Sequence, residues 1–252
     1  MSVFDSLASF VGVPPAPLVA AFVISFFAAA VQGTIGFGYG LISVPTLALL
    51  HPALAPVPQL VCAMPLVLHM AWRERAGIDW SGFGWITVGR FPGTAAGVLM
   101  VGALDPRSLD LVMAGIIAVA VAASVSRARA VRVRGAPFWA GLASGLTSYV
   151  SAIGGPPVAL LYRDATGPTL RATLAAVFAV GLVITIAGRV LVGQLAEVDL
   201  RVSAVLLPGV LLGSWASGAL TGRVEGPRLR AAVLWGSGLA SVALAARTLL
   251  GG

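Results

Sequence analysis

The sequence predicts an all-α polytopic membrane protein built as two inverted-topology repeats of about five helices each. Each repeat opens with a broken or re-entrant helix pair. Three observations carry this reading. Of the 252 residues, 58% are hydrophobic and 10% charged, against about 25% charged in a soluble domain. No Asp, Glu, Lys or Arg occurs from Ser6 to Trp72. The pattern of the first half then recurs in the second. No run of ten-residue alternating segments points to a barrel, so the spans are helices.

The N-terminal residues up to Pro17 form a short segment, compatible with an interfacial helix and closed by Pro14-Pro15 and Pro17. It carries Asp5 and no Arg, and its apolar run overshoots a signal-peptide core, so no cleaved signal is expected. From Pro17 to Val31 the chain suits a helix, and from Leu41 to Leu50 it does again. Between them, Gln32-Gly33-Thr34-Ile35-Gly36-Phe37-Gly38-Tyr39-Gly40 holds four glycines, and glycine is a poor helix former. Irregular backbone at membrane depth persists only where protein or a water-filled cavity satisfies its polar groups. A break there points to a transport site.

His51-Pro52 turns the chain into a span at 53–72. A polar loop follows with Arg73, Glu74, Arg75 and Asp79. The next spans are 81–104, with Arg90 inside it, and one from Asp105-Pro106 to Ser126. Residues 1–126 make the first repeat. Residues 127–135, with four Arg, are a basic cytoplasmic linker, and 136–252 make the second repeat. Ala136 to Tyr162 is again charge-free and again broken, at 151–157. Spans near 170–192, 202–222 and 228–250 complete it.

The halves align. Pro92-Gly93, Gly97 and Gly102 match Pro208-Gly209, Gly213 and Gly218 at one offset (208 less 92 is 116). The same offset places Gly38 on Gly154 and Arg73 on Arg189. A constant offset across separated features indicates internal duplication. The Pro-Gly stretches themselves read as packing and bending sites, since small residues let membrane helices approach closely.

All sixteen basic residues are Arg. If each broken pair leaves and returns to one face, that face receives Arg73, Arg75, the four linker Arg, Arg163, Arg171, Arg223, Arg228 and Arg230. The other receives Arg107, Arg201 and Arg247, with Arg189 near it. By the positive-inside rule the first face is cytoplasmic, and both termini are periplasmic. Two full crossings by each pair would give the same parity. The net charge of +7 has no basic domain to carry it, so no nucleic-acid partner is expected. The partners are the lipid bilayer and a small solute. A homodimer is compatible with the sequence.

A half-helix starting near Gly40, and another near Pro157, would turn unpaired N–H groups into the breaks. Such N-termini bind anions without a charged side chain, and Pro156-Pro157 suits a helix start. The alternative is that these glycines serve packing alone. Candidate substrate-binding residues around the first break are Gln32, Gly33, Thr34, Gly36, Gly38, Tyr39 and Gly40. Around the second they are Ser148, Ser151, Gly154, Gly155 and Pro156. The hydroxyls could donate to an oxyanion or bond back to their own helix.

Arg90 is the remaining binding candidate. An Arg at mid-span costs about 2.5–3.5 kcal/mol on insertion scales, so it should face the protein interior. Its planar fork of donors suits an oxyanion. It could instead snorkel or cap broken-helix carbonyls. Arg73 and Arg189 read as interface anchors first and gate residues second. His69 is the candidate proton carrier, against the alternative of a neutral, hydrogen-bonded core histidine. Cys62 is the sole cysteine, which excludes an intrachain disulfide and a multi-cysteine metal site. No cofactor, metal or catalytic residue is expected, and the thin inventory of nucleophiles and bases argues against an enzyme.

Two motifs carry a resemblance. Gly36-Phe37-Gly38-Tyr39-Gly40-Leu41-Ile42-Ser43-Val44-Pro45 resembles the first glycine-rich signature of the TauE/SafE sulfite exporter family. Ile153-Gly154-Gly155-Pro156-Pro157-Val158-Ala159-Leu160-Leu161-Tyr162 resembles its second, a Gly-Gly-Pro motif. Tyr39 interrupts a stretch that is richer in glycine in relatives. The resemblance covers nearly the whole chain. It implies a secondary transporter of the bacterial inner membrane for small sulfur-containing anions, such as sulfite or sulfonates like sulfoacetate. Export is the expected direction, with one repeat moving against the other. The alternatives are a channel or a transporter for another small anion, and, behind these, an intramembrane enzyme.

Overall fold

The computed structural model describes residues 3–125 and 135–220, with 235–236, 238–240, 242–243 and 246–247 in the final stretch. The basic linker at 127–134 and most of the last expected span lie outside the described residues. Among the described residues every regular element is a helix and there is no strand. In order these are α1 (Val3–Val11), α2 (Pro15–Ile35), α3 (Tyr39–Leu50), α4 (Val57–Glu74) and α5 (Trp80–Ala103). Then follow α6 (Pro106–Val125), α7 (Ala136–Ser151), α8 (Gly155–Leu161), α9 (Gly167–Leu191) and α10 (Glu197–Leu220).

Among the described residues, five helical segments are long and apolar enough to cross a membrane: Pro15–Ile35, Pro52–Gly77, Trp80–Ala103, Gly167–Leu191 and Glu197–Leu220. The chain is a multi-pass membrane protein. At 1.5 Å per residue α3 reaches about 18 Å and α8 about 10 Å, short of the roughly 30 Å hydrocarbon core. Neither crosses alone. Proline sits inside α3, α4, α5 and α10, which membrane helices tolerate when neighbours satisfy the freed carbonyls.

Close helix pairs join the two halves of the sequence. Helix α5 packs along α7, and α10 along α2. Glycine makes both seams. A Cβ on Gly89 or Gly93 would lie 2.1 Å from the carbonyl oxygen of Phe138 or Leu142. One on Gly213 would lie 2.1 Å from that of Phe26. Only a residue without a side chain permits backbones this close. The partners rise in step along each seam, so each pair is parallel. The breaks follow the 116 offset, and the ends of α5 and α10 follow it to within one residue. The seam partners do not: Gly93 meets Leu142, whereas Gly213, not Gly209, meets Phe26. The seams are displaced by one helical turn.

Contacts also fix which helix ends share a side. The start of α4 lies by α10, where Ser203 Oγ donates to the Pro58 carbonyl at 3.2 Å. The end of α4 lies by Ser217 and Gly33. The start of α9 packs on Gly77, so α9 runs against α4. Helices α2, α4 and α10 therefore run from the side holding α1, here the terminal side. They run toward the side holding Val125 and Ala136, the linker side, and α5, α7 and α9 run back. All six tryptophans (Trp72, Trp80, Trp85, Trp139, Trp215 and Trp235) are exposed and lie toward the linker side. Interfacial tryptophan belts mark the headgroup level of a bilayer.

Candidate functional site

Both breaks are shorter than the glycine count predicts. Helix α2 continues through Gln32, Gly33 and Thr34 to Ile35, and stops at Gly36, whose φ of 102° is left-handed. Gly38 (φ 121°) then starts α3. Helix α7 stops at Ala152, also left-handed at φ 57°, and α8 starts after Gly154. Glycine adopts this conformation freely; for Ala152 it costs roughly 1–2 kcal/mol. The two stops lie at matched positions, Gly36 and Ala152.

The breaks touch each other. A Cβ on Gly40 would lie 2.6 Å from the Ala152 carbonyl oxygen, and one on Gly155 3.4 Å from Phe37 Cβ. A cavity of about 50 Å³ opens between them. One water needs roughly 10–15 Å³ of such space, so the cavity suits a compact guest. Gln32, Gly38, Tyr39, Gly40, Arg90, Ser148, Gly154, Gly155 and Pro156 all line it. Ala63 and Val67 of α4 and Phe178 and Leu182 of α9 add apolar walls.

The polar groups divide into those already committed and those left over. Gln32 Oε1 accepts the Tyr39 backbone N–H at 2.9 Å, which caps α3. The first turn of a helix lacks intrahelical partners for its N–H groups, and Gly40 and Leu41 of that turn line the cavity. Tyr39 turns its hydroxyl away, donating to Gln59 Oε1 at 2.6 Å. The α8 end is a weaker donor. This helix has seven residues, and Pro156 and Pro157 in its first turn have no N–H. The two half-helices are therefore unequal.

Arg90 supplies the charge. Its side chain is 1% exposed, and Nη1 donates to Ser144 Oγ at 3.0 Å. Ser144 donates onward to the Gly154 carbonyl at 2.6 Å, which ties the guanidinium to the second break. The guanidinium lies against Gly181 of α9, where a Cβ would come within 2.0 Å of Cζ. Nε has no hydrogen-bond partner, and no carboxylate pairs with Arg90 among the described residues. The result is a buried, unneutralised cation beside a mostly apolar cavity, an arrangement that favours an anion.

The other candidates lie elsewhere. Thr34 Oγ1 bonds back to the Ala30 carbonyl at 2.8 Å and Ser151 Oγ to Thr147 at 2.8 Å. Gly33 faces Ser217 and Gly36 faces Arg171, both as close packing. His69 Nδ1 pairs with Ser214 Oγ at 2.8 Å, outside the cavity lining.

Arg73 and Arg189 have matching roles. Arg73 Nη2 donates to the Gly33 carbonyl at 2.8 Å, in the last turn of α2. Arg189 Nη2 donates to the Tyr149 carbonyl, in the last turn of α7. Gly33 and Tyr149 are themselves 116 apart. Each arginine offsets the partial negative charge at the end of a broken helix. The sequence offset paired these residues; Ser144 and Gln59 carried no comparable signal beyond being polar in an apolar helix.

On the linker side Glu74 pairs with Arg73 at 3.2 Å and Arg171 at 3.1 Å. Nearby, Asp79 caps α5 and accepts from the Tyr162 hydroxyl at 2.7 Å. That bond, ahead of opposing desolvation, holds the Asp79 carboxyl below its ordinary range. Burial pushes the Tyr162 hydroxyl up.

The family model for sulfite exporter TauE/SafE matches residues 21–244. Searches of curated proteins and of solved structures found no match. The matched region contains both breaks, the cavity between them and Arg90, and on it the chain belongs to the TauE/SafE sulfite exporter family.

Proposed function

We propose that this chain is a secondary transporter that exports small sulfur-containing anions across the bacterial inner membrane by alternating access. The observation that carries the reading is Arg90: a buried guanidinium without a carboxylate partner, beside a cavity where two broken helices meet. In a low-dielectric setting such a charge is costly unless a counter-charge visits it. The family supplies sulfur. The small cavity favours sulfite over a longer sulfonate such as sulfoacetate.

We infer that residues 1–126 and 136–252 are inverted repeats joined by 127–135. Matched left-handed stops, matched arginine caps and opposed helix directions support this. The arginine distribution supports a cytoplasmic linker side. An anion leaving down an inside-negative potential gains roughly 2.3 kcal/mol per charge per 100 mV, so export needs no coupling ion.

The test is efflux from proteoliposomes loaded with sulfite, sulfoacetate, sulfate or chloride, with Arg90→Ala alongside. Saturable sulfite efflux that the variant loses is the expected result. Transport of another solute but not sulfite would remove the substrate assignment. Full activity in Arg90→Ala would remove the site.

A further inference from the structure

We propose that the anion leaves the cavity toward the terminal side between α5 and α9, with Thr94 and Thr185 as its transient ligands. This rests on the transport reading above. Thr94 lies one helical turn beyond Arg90 on α5. Thr185 lies one turn beyond Gly181, the residue against which the Arg90 guanidinium sits. Helices α5 and α9 run in the same direction, so both threonines occupy the next level toward the terminal side. A Cβ on Gly188 would lie 3.7 Å from Thr94 Cγ2 and 3.3 Å from the Tyr149 ring. The seam therefore continues to Arg189, which caps Tyr149.

Among the described residues six buried side-chain polar atoms lack a partner, and four of them lie along this seam, Ser25 Oγ and Thr87 Oγ1 being the others. Thr94 is 4% and Thr185 0% exposed, and neither hydroxyl has a partner. A helical threonine in an apolar setting ordinarily bonds back to the carbonyl a turn before it. Thr34 and Thr147 do so here. Arg90 Nε and Arg189 Nε are unpartnered as well. Four donor atoms along one seam thus lack acceptors, which disfavours the closed seam. An anion or water entering as the helices part would supply them.

The matching seam of α4 and α10 is the reverse. His69, at the position equivalent to Thr185, bonds Ser214 at 2.8 Å. Arg73 bonds Ser217 at 3.2 Å and the Gly33 carbonyl. That seam is closed by its own bonds, on the linker side.

Cysteine accessibility tests this. Cys62 is the sole cysteine and is buried, so Cys62→Ala gives a background for Thr94→Cys and Thr185→Cys. A membrane-impermeant charged thiosulfonate is added from the terminal side of oriented vesicles without sulfite. Both cysteines should react. Sulfite efflux and sulfite affinity are then measured for Thr94→Val and Thr185→Val, which keep the shape and lose the hydroxyl. Efflux should fall about tenfold, the effect of one lost bond to a charged group. Affinity should hold, and Thr→Ser should restore the rate. Unreactive cysteines, or valine variants at the wild-type rate, would overturn the route. If the parent protein moves no anion, the transport reading fails, while cysteine reactivity still decides whether the seam opens.

Discussion

Replacing Gly181 by alanine moves the cation of the site without removing it. A Cβ there would lie 2.0 Å from Arg90 Cζ, 2.1 Å from Nε and 2.3 Å from Nη2. These atoms are the end of a flexible side chain, so the guanidinium shifts and the helices stay. In α9 itself, alanine is worth about 1 kcal/mol over glycine, which offsets the repacking. The displaced guanidinium loses Ser144 and its alignment to a bound anion. A hydrogen bond to a charged group is worth roughly 1.5–3 kcal/mol, so sulfite affinity should fall about ten- to hundredfold. Calorimetric titration of the purified protein reads that loss, and a thermal melt on the same sample should show little change. Unaltered affinity at unaltered stability would refute the placement of Arg90 as the anion's partner.

Three further outcomes follow from the geometry. Gly93→Ala meets the Leu142 carbonyl at 2.1 Å, a backbone atom that cannot swing away. It should destabilise the protein by about 1–3 kcal/mol, read as a lower melting temperature. Arg73→Met and Arg189→Met each strip a broken helix of its terminal donor. Each should cost roughly 1.5–3 kcal/mol in a denaturation series, with the two variants affected alike. The depressed Asp79 carboxyl contributes stability that is present above its ordinary value of 3.8. That contribution is lost as pH falls through the lower folded value. Tyr162→Phe removes the main cause, so its melting temperature should fall less between pH 5 and pH 2 than that of the parent.

Much of the site was legible because glycine and proline report backbone demands. Pro156-Pro157 marked the start of α8, and Gly36 and Gly38 bracket the first break as expected. The break was overdrawn at Gln32, Gly33 and Thr34 because glycine serves two purposes. Gly33 is helical and lies against Ser217; nothing in its own neighbourhood distinguishes close packing from a helix stop. Arg90 was legible from its cost in a span. Its route through Ser144 to Gly154 was not, since that link joins α5 to α7 across 54 positions. The shared offset of Arg73 and Arg189 was plain, but their capping role depends on where α2 and α7 end in space.

The crossed partnership of α2 with α10 and α7 with α5 bears on what can move as a unit. Rocking one half of the gene product against the other would tear carbonyls out of both glycine seams. The blocks that tilt must be hybrids, each assembled from material at opposite ends of the polypeptide. A protein split within its basic linker should accordingly be inert as separate fragments and recover only when both are made together.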